Sequence, residues 1–173
     1  MAMMQDHKTT LSVFAQSVIS TLRSYFADTN IQQFGIKQPF DDNNAPVTVR
    51  PPCLLLEIAG FGVTDANQCS PRVVALQVNC AIHALLPVTT PDLQLELLDL
   101  GGTITGLLCL HDSAPLLPPN VGQRWGLERK VESVDRSSIV CVPGEYGAGL
   151  HGFDSVKIGW TQTVYIPELL EII

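Results

Sequence analysis

Residues 153–167 alternate between apolar and polar side chains almost without interruption. The apolar side comprises Val156, Ile158, Trp160, Val164 and Ile166. The other side comprises Lys157, Gly159, Thr161, Thr163 and Tyr165. Gln162 alone breaks the apolar side. Because successive side chains of a strand point to opposite faces, this period predicts a long β-strand covered by other elements on one face only.

Two segments have the apolar spacing of helices. The first, residues 9–27, predicts an amphipathic helix opened by Thr9 or Thr10 as the N-cap. The second is predicted to begin with Thr90 as the N-cap, followed by Pro91 in the first turn. Its expected buried stripe is Leu93, Leu97, Leu100, Ile104, Leu107 and Leu108. Gly101-Gly102 in its middle predicts either a bend or a close approach by another segment.

Three further strands complete the predicted fold. Cys53–Val63 is expected to bend or bulge at its glycines and to pair antiparallel with Arg72–Leu86. Lys130–Val142 is the third predicted strand, and residues 28–52 are expected to form a long loop that includes an extended stretch at Pro46–Arg50. The order helix, hairpin, helix, hairpin predicts an α+β fold, with an antiparallel or mixed β-sheet, both α-helices packed on one face, and an extended C-terminal strand.

The length of 173 residues fits a single domain over 1–173. Within it we expect a flexible N-terminus (1–8), long loops (28–52 and 112–126) and a C-terminal tail (168–173).

Net charge is −7 and the 10 Lys and Arg residues are scattered, which disfavours nucleic-acid binding by phosphate neutralisation. The five cysteines form no Cys-x-x-Cys pair and predict reduced thiols. No apolar run is typical of a signal peptide or a membrane span.

The motifs that could carry chemistry are incomplete. Gly147–Gly152 matches Gly-x-Gly-x-x-Gly, but a strand follows it where dinucleotide binding requires a helix. Asp41–Asn44 lacks the glycine and the final carboxylate of an EF-hand loop. The histidines have no zinc-ligand spacing. We therefore assign no catalytic, cofactor-binding or metal residue, and expect no enzyme. A site assembled in space from His83, Cys80 or His151 stays open as an alternative.

Several apolar or aromatic residues are candidates for an interface. Arg124 and Trp125 lie in a Pro-rich loop and are residue types that anchor protein contacts, although Trp125 could equally fold back onto the core. The tail could dock on its own domain or on a neighbouring chain. The remaining candidates are Tyr146 in the Gly-rich loop and Leu169, Leu170, Ile172 and Ile173 in the tail.

Three stretches and their order carry a resemblance to a known family. They are Pro-Cys-Leu-Leu-Leu-Glu-Ile at 52–58, Val-Ala-Leu-Gln-Val-Asn-Cys-Ala-Ile-His-Ala at 74–84, and Ile-Gly-Trp-Thr-Gln-Thr-Val-Tyr at 158–165. With an amphipathic helix before them and a Leu-rich helix and a Pro/Trp loop between, this pattern resembles the tail terminator proteins of long-tailed bacteriophages. The likeness spans most of residues 9–167, and the segments 28–52 and 143–152 depart from it.

The resemblance implies a structural role in the virion tail or neck, after assembly in the host cytoplasm. Such proteins form a hexameric ring that caps the tail tube and ends its polymerisation. The implied partners are further copies of the chain, the tail tube protein, the head–neck connector protein and, in contractile tails, the sheath protein. DNA would pass through the lumen without specific binding. The alternatives are another tail or neck subunit, such as a tube or head-completion protein, and a small cytosolic α+β enzyme.

Overall fold

The computed structural model describes residues 9–37, 49–64, 73–110, 122–144 and 152–167. The elements in chain order are α1 (Leu11–Tyr25), β1 (Gln33–Ile36), β2 (Cys53–Val63), β3 (Val73–Pro87), α2 (Leu93–Cys109), β4 (Val140–Pro143) and β5 (Phe153–Pro167). The strands form an open mixed sheet in the order β1-β2-β3-β5-β4, in which β1 and β2 run parallel and the other neighbours antiparallel. Both helices pack on one face, so the predicted α+β class is confirmed.

The long final strand is confirmed over its whole predicted length. β5 pairs with β3 from Phe153 opposite Pro87 to Pro167 opposite Val73. The apolar side of β5 is buried beneath the helices. The expectation that only one face is covered is wrong at both ends of the strand. There Phe153 packs in a second apolar cluster and Tyr165 in a third, because neighbouring strands also place apolar side chains on the outer face.

Helix α1 begins as the sequence predicts. The Thr10 hydroxyl accepts a hydrogen bond from the Val13 N–H at 3.1 Å, which satisfies one of the free donors of the first turn. Phe14, Val18 and Leu22 are buried against the sheet. The apolar spacing therefore identifies the packed side of this helix correctly.

Helix α2 packs the predicted stripe against the core, with Leu93 and Leu100 only partly buried, but it starts later than predicted. Asp92, with a positive φ of 50°, occupies the N-cap position without a side-chain cap. Thr90 lies in the preceding turn, where its N–H donates to the Pro87 carbonyl at 2.9 Å. The assignment of Thr90 as the N-cap is therefore wrong, because the turn that leaves β3 uses this residue.

The sheet corrects two further expectations. The segment predicted as a loop contains β1, which pairs with the first half of β2. The predicted strand Lys130–Val142 is broken: Val131 bridges to Val164, a 3-10 turn covers Arg136–Ser138, and only β4 is regular. Asp135 causes the break, because its carboxylate accepts hydrogen bonds from the Ser137 N–H and hydroxyl at 2.9 and 2.7 Å.

The bulge expected at the glycines of β2 is present, as the β2–β3 register shifts between Ile58 and Gly60. Of the expected extended stretch, Val49 and Arg50 lie outside any strand and residues 46–48 fall outside the described part of the chain.

The two adjacent glycines of α2 face different surroundings. A methyl group on Gly101 would lie 2.9 Å from Cys141 Sγ and 3.6 Å from Val156 Cγ2, whereas one on Gly102 would meet nothing within 4 Å. The helix therefore approaches the sheet closely at Gly101, and Gly102 is exposed.

Substitution of these glycines by alanine separates helix propensity from packing. Gly102→Ala should raise the free energy of unfolding by about 1 kcal/mol, the difference in helix propensity. Gly101→Ala should gain less, because the new methyl group displaces Cys141. Urea denaturation of both variants, alone and with Cys141→Ala, measures the effect. A difference between the two glycines that survives Cys141→Ala would contradict this explanation.

Candidate functional site

Gln162, the residue that breaks the alternation of β5, lies at the centre of a buried polar cluster. Gln162 Oε1 accepts hydrogen bonds from Trp125 Nε1 at 2.8 Å and Trp160 Nε1 at 3.2 Å. Its Nε2 donates to the carbonyls of Gln123 and Glu132 at 3.0 and 2.7 Å. The amide thus uses both donors and both acceptor lone pairs, which offsets the cost of burying it.

This cluster determines where the Arg-Trp pair lies. Trp125 is 3% exposed, and its ring centroid is 5.8 Å from that of Trp160. Of the two alternatives for Trp125, the structure shows the one in which it folds back onto the core. Arg124 is half-buried, and its Nε is buried without a hydrogen-bond partner among the described residues. The other interface candidates, Tyr146, Leu169, Leu170, Ile172 and Ile173, lie outside the described residues.

Gly122 lets this segment approach the core. A methyl group there would lie 2.9 Å from the Leu108 carbonyl oxygen and 3.0 Å from that of Val134. On either side of it, the Gln123 N–H donates to Leu108 and the Val134 N–H donates to Gln123, each at 3.0 Å. The end of α2 and the stretch before β4 are therefore joined through Gln123. No sequence motif indicates this junction.

Loss of the Gln162 amide should destabilise the protein strongly. Gln162→Leu leaves two indole N–H groups and two carbonyls without their partner, and we expect the free energy of unfolding to fall by about 3 kcal/mol. Gln77→Leu, on the exposed part of β3, is the matched control and should change it by less than about 0.5 kcal/mol. Urea denaturation measures both. Similar values for the two variants would contradict the anchoring role.

A charged cluster lies on the sheet face opposite the helices. Glu57 of β2 accepts a hydrogen bond at Oε2 from His83 Nε2 of β3 at 2.6 Å. Lys37 Nζ lies 3.3 Å from Glu57 Oε1, and Lys157 Nζ of β5 lies 3.7 Å from Oε2. No sequence pattern indicates this cluster, because its members come from four separate segments. His83 is the one member that sequence reasoning had singled out.

Burial and hydrogen bonding set the protonation states in this cluster. Burial by itself raises the pKa of Glu57, but hydrogen bonds from His83 and Lys37 outweigh it and lower that pKa below its usual value. Burial lowers the pKa of His83, and this outweighs the opposing contact with Glu57. At neutral pH the pair is therefore a neutral imidazole that donates its Nε2–H to a carboxylate.

The residues of the alternative catalytic site do not come together. Cys80 belongs to the core beneath the helices, whereas His83 lies on the outer face of the same strand. Burial raises the pKa of the Cys80 thiol to about 12, so it is not a thiolate at neutral pH. His151 falls outside the described residues.

The two lowered pKa values predict a sensitivity to acid. The unfolded chain takes up protons at His83 near pH 6.5 and at Glu57 near pH 4.5, before the folded chain does. The stability that His83 and Glu57 contribute is therefore present above these two pH values, and it is lost as the pH falls below them. We expect the free energy of unfolding to decrease between pH 7 and 5, and His83→Gln to flatten this slope. Urea titrations at several pH values test it; an unchanged slope in the variant would rule out His83 as the cause.

A groove of about 590 Å³ lies between the C-terminal ends of the two helices. It is separate from the Glu57–His83 cluster. Its walls include Ser20, Ser24 and Tyr25 from α1, Leu107 and Leu110 from the end of α2, and Trp125. Hydroxyl groups line one wall and apolar side chains the other, so the groove can take an occupant that has both apolar and polar groups.

The outward side of α2 forms an uncovered apolar surface, which we call the α2 face. Leu95 and Leu98 are 62% and 64% exposed. Gly102 and Gly106 continue the same side of the helix, and a methyl group on either would meet nothing within 4 Å. Asp99 borders the leucines, and residues 88–110 contain no Lys or Arg. The helix therefore has one apolar side in the core and a second, bordered by acidic groups, in solvent.

No family model matches the chain, and no curated protein matches it. Within the described ranges, no group of three or more His, Cys, Asp or Glu side chains is placed to hold a metal ion. Neither described helix is both long and apolar enough to cross a membrane.

Proposed function

We propose that this chain is a structural subunit that associates head to tail into a closed ring and caps the tail tube of a bacteriophage. The single observation that supports this most is the α2 face. Two leucines more than 60% exposed lie about one turn apart on the same side of the helix, where a partner could bury both. Each exposed glycine beside them costs about 1 kcal/mol relative to alanine, and it permits close approach of a partner's backbone.

The charge of the α2 face favours a head-to-tail contact. In a twofold contact the face would meet its own copy, and Glu96 and Asp99 would oppose carboxylates of the partner. A contact with a different surface of the next chain avoids this repulsion. Repetition of such a contact produces either a closed ring or an open filament, according to the rotation between neighbours.

The proposal is supported by the order α1, β2–β3 hairpin, α2 and β5, which is the order on which the resemblance to tail terminator proteins rests; β1 and β4 are additional short strands. On this basis we propose a hexameric ring in the tail or neck of the virion, assembled in the host cytoplasm. It would end tube polymerisation, contact the head–neck connector protein and, in a contractile tail, the sheath protein. Chains of net charge −7 would repel phosphates, so DNA would pass through the lumen without binding.

A catalytic role is the second candidate, supported by the 2.6 Å contact between Glu57 and His83. Two observations disfavour it. The His83 side chain is 0% exposed, so a substrate cannot reach the imidazole without a rearrangement. Glu57 is also engaged by the ammonium groups of Lys37 and Lys157. The cluster is better explained as a structural contact between strands.

Disruption of the α2 face should abolish self-association. We expect the purified chain to form closed sixfold rings in native mass spectrometry and negative-stain images. Leu95→Lys with Leu98→Lys should leave monomers that unfold at the same urea concentration. Val13→Lys, at an exposed apolar position of α1, is the matched control and should retain rings.

Three results would count against the proposal. Long tubes formed by the unmodified chain would indicate a tube subunit. If the chain remains monomeric both alone and in the presence of tail tubes, the proposed ring is excluded. Rings unaffected by the two lysines would exclude the α2 face as the contact.

A further inference from the structure

We propose that the groove between the C-terminal ends of α1 and α2 binds residues 168–173 of a second copy of the chain. This inference rests on the proposed function, because it requires neighbouring chains. It adds a specific contact to the ring: an extended segment of one subunit held between the two helices of the next.

The groove is built to accept an extended peptide with apolar side chains. Tyr25 and Leu110 are exposed at its edges, and Leu107 and Trp125 contribute apolar atoms deeper within it. The hydroxyls of Ser20 and Ser24 on the opposite wall can donate to and accept from a peptide backbone. Extended peptides are commonly recognised by such a combination of apolar pockets and hydrogen bonds to their backbone.

The sequence of residues 168–173, Glu-Leu-Leu-Glu-Ile-Ile, matches the groove in polarity and charge. Its four aliphatic side chains fit the apolar wall. Arg124 lies between two lining residues, Gln123 and Trp125, and Arg23 precedes the lining residue Ser24. The carboxylates of Glu168 and Glu171 are opposite in charge to these two arginines, which adjoin lining residues in sequence.

The position of β5 favours the segment of a neighbouring chain over the chain's own. β5 ends at Pro167, whereas its contact with Trp125 is at Gln162, roughly 17 Å back along the strand. The segment would have to reverse direction to enter its own groove. A reversal uses at least two of its residues, and the rest span about 14 Å at most. The start of α1 also lies beside the end of the strand, where the Thr9 N–H donates to the Tyr165 carbonyl at 2.9 Å.

Disulfide cross-linking between two different chains tests the inference. One full-length chain carries Ser24→Cys and the other carries Leu170→Cys, each with Cys69, Cys109 and Cys141 replaced by serine. The two are mixed and oxidised, and non-reducing gels should show a covalent dimer. Ser12→Cys, at an exposed serine at the other end of α1, replaces Ser24→Cys in the control and should give none.

Charge reversal provides a second measurement of the same contact. Arg124→Glu should reduce the yield of the Ser24–Leu170 cross-link severalfold, and Glu171→Arg in the other chain should restore it. If Glu171→Arg restores the yield, the loss caused by Arg124→Glu was not due to unfolding of the groove. If Glu171→Arg does not restore the yield, although circular dichroism shows that the Arg124→Glu chain is folded, the charge pairing is overturned.

Each remaining outcome decides the inference. A cross-link that forms only when both cysteines are in one chain overturns the second copy as the source of the segment. Rings that form without the cross-link overturn the occupancy of the groove and leave the proposed function standing. If neither rings nor the cross-link form, both the occupancy of the groove and the proposed function are overturned.

Discussion

The pairing of β3 with β5 is the constraint on which the rest of the structure depends. It runs without a register shift over the full length of both strands, so it fixes which side chains of each strand face the helices. Both helices lie over the face that this register makes apolar. A shift by one residue would bring Lys157 and the threonines of β5 beneath the helices. The register also places Gln162 under the loop that Trp125 anchors, so the junction near Gly122 follows from the same pairing.

The same register explains why the outer face of the sheet is not uniformly polar. Apolar side chains cover its two ends, and between them His83 is buried beside Glu57 and Lys157. A buried imidazole is tolerated because the Glu57 carboxylate accepts its hydrogen bond, and the ammonium groups of Lys37 and Lys157 stabilise that carboxylate. Charge in this cluster therefore joins four segments of the chain.

Elements with a long regular period could be predicted from the sequence, and short or interrupted ones could not. β5, β3 and the stripe of α2 extend over enough residues for their periodicity to be evident. β1 comprises four residues that include a glycine, and its parallel partner is distant in sequence. The stretch 130–142 has the composition of a strand, but Asp135 diverts it through a side-chain hydrogen bond. Neither the charged cluster nor the groove could be inferred, since each combines residues from separate elements. Gln162, the one exception to the alternation, was the best sequence signal of a special position.

The arrangement of uncovered surfaces along α2 bears on how copies of the chain would join. Leu95 and Leu98 lie in the N-terminal half of the helix, whereas Leu110 borders the groove at its other end. Glu96 and Asp99 lie close to the first surface along the helix, whereas Arg23 and Arg124 adjoin in sequence residues that line the second. Two unlike surfaces, separated along one helix, can each meet a different neighbour. A chain that met its own copy through either surface alone would leave the other uncovered. A head-to-tail arrangement would cover both, and its repetition would produce a closed ring or an open filament according to the rotation between neighbours.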